Sequence, residues 1–202
     1  MTTPRDLLII AIDMASNRPL ERGDLSLALA GAEAIDLLSA EAVRLDGDDM
    51  VPSLPPAMAD RLLDEAASSL VRDAPYESVG DWLWRRGRGL AAAYVADLES
   101  EGQLTRQRGR RWMPSRTSRT VLVDSPARRR AVDRWTSDEP VLAALAAAVG
   151  IRDEQGADSP SVADDAVATV LAAVNDAVSE LEFERQRRAL DEAAFDNIWR
   201  GG

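Results

Sequence analysis

The residues here whose type and spacing could do chemistry are arginines. All 24 basic residues of this 202-residue chain are Arg, and 13 of them fall between residues 85 and 134. Arg85 and Arg88 stand one helical turn apart, and Arg110, Arg111, Trp112 and Met113 are consecutive. A planar guanidinium bonds two oxygens of a phosphate or carboxylate at once. An Arg pair beside Trp suits a membrane interface, because the indole prefers headgroup depth while Arg binds phosphate. The competing reading packs Trp112 on the core and leaves the Arg solvated.

Other chemistries are excluded or unsupported. With neither cysteine nor histidine, the chain has no disulfide, Cys/His zinc site, Cys nucleophile or His-based triad. Carboxylates alone can hold Mg²⁺, and Asp48-Asp49 and Asp164-Asp165 are adjacent pairs. An exposed turn and a helix start explain them better. No phosphate loop, dinucleotide fingerprint or nucleophile elbow occurs, and no carboxylate pair stands out for glycoside chemistry. The expectation is no catalytic residue, no metal, no cofactor and no enzymatic activity.

Charge is segregated along the chain. Net charge is −11, yet residues 85–134 set 13 Arg against 5 acids. Residues 1–84 hold 6 Arg and 16 acids, and residues 135–202 hold 5 and 14. On folding, the central Arg either pair with the acidic flanks or form one positive face for phosphates or anionic lipid. The sequence leaves both open. The exclusive use of Arg reads as the codon bias of a GC-rich bacterial genome.

The elements that must position these residues are mostly helices. Hydrophobic residues make up 46% of the chain and aromatics 4%, and much of the apolar content is Ala, the best helix former. The expected fold class is mainly α: a compact multi-helix domain over 1–202 with one or two short β-hairpins. The apolar run within 6–14 is too short to separate strand from helix, and too short for a signal peptide core or a membrane span. A helix follows from an N-cap at Asp24 to about Ala42, where Gly31 allows close approach of a neighbour. Asp46-Gly47-Asp48-Asp49 between apolar runs predicts a hairpin. Helices are expected over about 57–71 and 79–100, the second closed by Gly102. Residues 105–123 read as an Arg-rich hairpin. Helices then run from Pro126 to about Trp135 and over 141–149, and residues 151–160 read as a loop. One long helix spans 161–194, within a C-terminal helical segment 161–202 whose Phe195, Ile198 and Trp199 suggest docking. Residues 36–53 and 97–115 repeat a helix-plus-hairpin pattern.

The order of these pieces resembles the bacterial members of the Golgi phosphoprotein 3 family, most strongly over residues 5–150. The resemblance is carried by Leu7 to Asp13, by Leu27-Ala28-Leu29-Ala30-Gly31-Ala32 with Ile35 to Leu38, and by Val43-Arg44-Leu45. Leu63-Asp64-Glu65-Ala66, Val79-Gly80-Asp81-Trp82-Leu83 and Leu98 to Leu104 continue it. It implies a mainly helical fold with a protruding hairpin that approaches a membrane or another subunit. Eukaryotic members are peripheral membrane proteins that bind phosphatidylinositol 4-phosphate and link glycosylation enzymes to vesicle coats. Their headgroup pocket uses a Trp and an Arg from the first loop and helix, and two Arg from the central helix. Anchored on Gly102-Gln103-Leu104, the central pair falls on Arg88 and Ala91, and the early Arg falls on Ala30. The loop Trp has no counterpart in Arg18-Pro19-Leu20-Glu21-Arg22.

The resulting expectation is a non-enzymatic, peripheral, phosphoinositide-type headgroup-binding adaptor or scaffold. Its ligand is an anionic phospholipid headgroup or another phosphorylated molecule, held by Arg88 with Arg85, Arg18 and Arg22. Arg110, Arg111, Trp112 and Met113 form the membrane-contact hairpin. A protein partner, a homo-oligomer and a cytoplasmic place at the inner face of the membrane complete it. The alternatives are a winged-helix-like nucleic-acid binder, ranked lower because the whole chain is acidic, and a pure protein-interaction module.

Overall fold

A computed structural model describes residues 2–14, 21–54, 58–107, 119–151 and 163–200. At its centre are two helices that are apolar on nearly every side, the pattern of helices buried all round. In α1 (Thr3–Met14), Leu7 to Ala11 are at most 1% exposed. In α2 (Arg22–Ser39), nearly every position from Leu25 to Leu37 is buried. The apolar run that sequence length left ambiguous is therefore helix α1.

The other described elements wrap this pair. They are β1 (Val43–Asp46), β2 (Asp49–Pro52), α3 (Arg61–Ser68), α4 (Val79–Arg86), α5 (Leu90–Ser100), β3 (Leu104–Gln107), β4 (Arg119–Leu122), α6 (Pro126–Thr136), α7 (Pro140–Ala148) and α8 (Asp165–Arg200). One apolar cluster runs through them from Leu7 to Val178. The fold is mainly α with two antiparallel strand pairs, β1–β2 and β3–β4, as the sequence predicts. Gly31 faces α8 so closely that a Cβ there would sit 2.3 Å from Val174 Cγ2.

Both hairpins follow a helix that ends in the same way. At the end of α5 the amides of Gly102 and Gln103 donate to the carbonyls of Glu99 (3.0 Å) and Leu98 (2.9 Å). At the end of α2 the amides of Glu41 and Ala42 do the same to Leu38 and Leu37. These are paired Schellman bonds around a left-handed residue, with φ 70° at Gly102 and 55° at Glu41. The helix-plus-hairpin repeat is thus a repeat of backbone geometry, although only one of the two stops is a glycine.

Several predicted boundaries move. The single helix expected over 79–100 is two, α4 and α5, broken at Gly87-Arg88-Gly89. Gly89 has φ 72°, and a Cβ on Gly87 would lie 3.3 Å from the Ser26 carbonyl oxygen. Two glycines within three residues thus let the chain turn over the start of α2. Helix α2 begins at Arg22, before the expected cap Asp24, which sits in the first turn and pairs with Arg185. Helix α3 begins only after Asp60, whose carboxylate accepts from the Leu62 and Leu63 amides at 3.0 and 3.1 Å. Helix α8 starts at Asp165, behind the Asp164 cap, and extends to Arg200. The loop expected over 151–160 lies outside the described residues beyond Ile151, and so do the side chains of Phe195, Ile198 and Trp199.

Candidate functional site

The α4–α5 turn packs against α2 at Ser26. Arg88 occupies that turn and Arg22 opens α2. Both are exposed, and neither has an ion pair among the described residues. Helix α5 starts after Gly89, which has no side chain to cap it. Instead Ser26 of α2 supplies the missing acceptor, its Oγ taking the Ala91 amide at 3.1 Å. This bond crosses between elements and ties the Arg88 turn to α2.

The two positions that the resemblance assigns to further arginines are closed. Ala30 and Ala91 are 0% and 5% exposed. The Trp82 indole N–H donates to the Ala30 carbonyl at 3.1 Å. Small side chains let α2, α4 and α5 approach here, and the space where two guanidiniums would stand is filled by packing.

Arg85 points to a different environment. Its Nε and Nη2 each lie 2.6 Å from a Glu77 carboxylate oxygen. Nη2 also donates to the Ser69 carbonyl at 3.2 Å, and the guanidinium stands 5.2 Å from the Trp82 ring centroid. The bond to Glu77 raises its pKa above the ordinary arginine value. The structure does not bring Arg85 and Arg88 into one ion-pairing set.

Arg86, which the sequence reading did not single out, is the inward residue of α4. It makes two bonds to Glu33, at 2.7 and 2.9 Å, and one to the Leu62 carbonyl at 2.9 Å. Tyr94 donates to the same carboxylate at 2.9 Å. Two signals were available for this pair. Arg86 shares the helical face of Trp82 and Leu83, and Glu33 interrupts an otherwise apolar helix.

Of the remaining predicted site residues, Arg18, Arg110, Arg111, Trp112 and Met113 lie outside the described residues. The base of their hairpin is described, with Leu104 opposite Leu122 and Gln107 opposite Arg119.

Much of the basic stretch pairs with acids. Arg128 bonds Asp13 at 2.8 and 3.1 Å. Arg134 bonds Asp6 at 2.6 Å and Glu139 at 2.9 Å. Arg129 pairs locally with Asp124, whose pKa is lowered by that bond. Asp6 is instead raised, because burial outweighs its bonds to Arg134. The adjacent acids behave as a turn and a helix start: Asp48 sits in the β1–β2 turn, and Asp164 accepts from the Ala166 and Val167 amides at 2.8 and 3.1 Å. No group of three metal-binding side chains occurs among the described residues, and no described helix is long and apolar enough to cross a membrane.

Comparison with known proteins adds one match. The family model for Golgi phosphoprotein 3 (GPP34) matches residues 4–193. No curated protein matches the chain.

Proposed function

The chain belongs to the Golgi phosphoprotein 3 family, and from that premise we propose a non-enzymatic adaptor that docks peripherally on an anionic phospholipid surface. Arg88 contacts the headgroup phosphate, and Arg22 stands one helical turn before the Ser26 that ties the two elements together. The observation that carries this reading is the state of Arg88. Arg85, Arg86, Arg128, Arg129 and Arg134 are held by carboxylates, while Arg88 is exposed with no ion pair among the described residues. A guanidinium so placed keeps its bidentate donors for an incoming phosphate.

The ligand on this reading is broader than one phosphoinositide, since Ala30 and Ala91 offer no second and third guanidinium. Binding of this kind gains about 1 kcal/mol per Arg near an anionic surface, so it is weak, salt-sensitive and reversible. The adaptor works from the cytoplasm at the inner face of the membrane, with its protein partners on the faces that the membrane leaves open.

The test is co-sedimentation of the full chain with phosphatidylcholine vesicles, alone or with phosphatidylserine, phosphatidylinositol or phosphatidylinositol 4-phosphate. Pelleting with anionic vesicles, reduced by Arg88→Ala and by salt, is the expected result. Equal pelleting of wild type and variant, or none with any vesicle, overturns the assignment. Duplex DNA in a parallel arm separates it from a nucleic-acid-binding function.

A further inference from the structure

Helix α8 buries one face and leaves the opposite one uncovered. Val167, Val170, Val174 and Val178 point into the core. Past Leu181 the side chains are exposed or half-buried, and Arg185 reaches back to Asp24. On the outward face Phe183 and Leu190 are 65% and 70% exposed. They share a stripe with Ala173, Asp176, Glu180 and Arg187. Its steps are alternately three and four residues, the spacing of a helix that packs along a second helix.

The two halves of the stripe differ in kind. Beside the first half lies a groove of about 510 Å³, lined by Trp84 of α4 and by Ala173, Asp176, Ala177 and Glu180. The alanines form a shelf and the partly exposed Trp84 an apolar wall. Neither Asp176 nor Glu180 has an ion pair among the described residues. The second half carries the two large apolar side chains and a cation. Arg187 makes a local pair with Glu184 at 2.9 Å, an exposed contact of the weak kind. One half is thus small and acidic, the other large and basic.

We propose that this face is the contact between two copies of the chain, with their α8 helices antiparallel. A two-fold axis passing between Glu180 and Phe183 sets Leu190 of each copy opposite Ala173 of the other, and Arg187 opposite Asp176. The large side chain meets the small one beside Trp84, and each cation meets an acid that lacks one. A parallel pair would set Asp176, Glu180 and Arg187 each against its own like charge. A purely basic or purely acidic partner satisfies one half of the stripe, whereas a second copy satisfies both. The contact is the same patch on both copies, so it closes at two. The body of each copy lies on the far side of its own α8, which leaves the approach open. The inference stands apart from the lipid reading, because Arg88 does not line the groove.

The experiment is sedimentation velocity of the full chain from about 1 μM to about 300 μM. We expect a monomer that passes to a dimer with a Kd of about 10–100 μM, weakened by salt. Phe183→Asp and Leu190→Asp, both at exposed positions, should each weaken the dimer tenfold or more. Asp176→Arg should do the same, and adding Arg187→Asp to it should restore the dimer, because the exchanged charges meet again only in the antiparallel pair. Arg88→Ala should leave the dimer unchanged. Circular dichroism melts confirm that each variant is folded. A monomer at every concentration, a dimer that the single variants leave intact, or no recovery in the double variant overturns the proposal. Loss of vesicle binding by Phe183→Asp in a chain that never dimerises would give this face to the membrane and overturn it too.

Discussion

Glu33 and Arg86 form a two-bond ion pair inside the protein, with Nε 2.7 Å from one carboxylate oxygen and Nη2 2.9 Å from the other. Glu33 is fully buried, and Tyr94 closes the set with a third bond to its carboxylate. One contact thereby joins α2, α4 and α5, the three elements that frame the Arg88 turn.

Arg86→Ala removes the cation and leaves an uncompensated buried carboxylate. The expected loss is about 3–5 kcal/mol in urea unfolding, a large share of a typical domain's stability. The double variant Glu33→Gln, Arg86→Met should recover much of it, since no charge is then stranded. A single-variant loss below about 1 kcal/mol, the range of exposed pairs, would contradict the buried geometry.

Gly31→Ala should destabilise by about 1–3 kcal/mol through overpacking, because its Cβ would lie 2.3 Å from Val174 Cγ2. Shortening the opposing side chain by Val174→Ala in the same molecule should return part of that loss. Simple additivity of the two changes in thermal unfolding would rule out direct contact between α2 and α8 at this point.

Ser26→Ala should cost about 1–2 kcal/mol, because it strips the buried Ala91 amide of its acceptor at the start of α5. Hydrogen exchange at the Ala91 amide is the direct readout, and it should quicken more than exchange within α1. Unchanged protection would mean that Ser26 does not hold the turn.

Asp36 accepts the Thr3 amide at 2.8 Å, and burial lifts its pKa above 3.8 despite the Thr3 bonds. Over the window from 3.8 up to that raised value the folded chain keeps a proton that the unfolded chain has released. Its contribution is therefore fully present below pH 3.8 and lost as pH rises through the folded value. Asp36→Asn keeps an oxygen acceptor but does not titrate. The stability of the Asn variant relative to wild type should rise with pH across the window, and parallel stability–pH curves would contradict this.

Arg85→Ala and Arg88→Ala should separate structure from binding. Losing Arg85 frees Glu77 and uncovers the Trp82 ring, so it should lower the melting temperature slightly while vesicle binding per folded molecule stays near wild type. Losing Arg88 should do the reverse. Equal effects of the two on vesicle binding would place Arg85 in the ligand surface after all.

Apart from α1, whose short apolar run fits strand or helix alike, the order and type of the elements are legible in the sequence because they rest on local physics: Ala-rich apolar periodicity, the Gly102 stop, the Asp-Gly turn and the Ser125-Pro126 start. The break between α4 and α5 is not legible in the sequence, because Gly87 and Gly89 are tolerable inside a helix. What decides against continuity there is Ser26, which accepts the Ala91 amide from a segment 65 residues away. The sequence places the start of α3 too early, because the apolar spacing continues upstream of the Asp60 cap.

For the candidate site, the sequence alone determined which chemistry is absent, through missing Cys and His, and where cations are dense. Only the tertiary structure decided which cations are committed. Arg85, Arg86 and Arg88 lie within four consecutive positions, yet one pairs at the surface, one is buried against Glu33 and one faces outward from a turn. Their type and spacing could not distinguish them, because a guanidinium's availability depends on which carboxylates folding brings within bonding distance. Glu33 comes from α2, far away in the chain, and Glu77 from the loop just before α4.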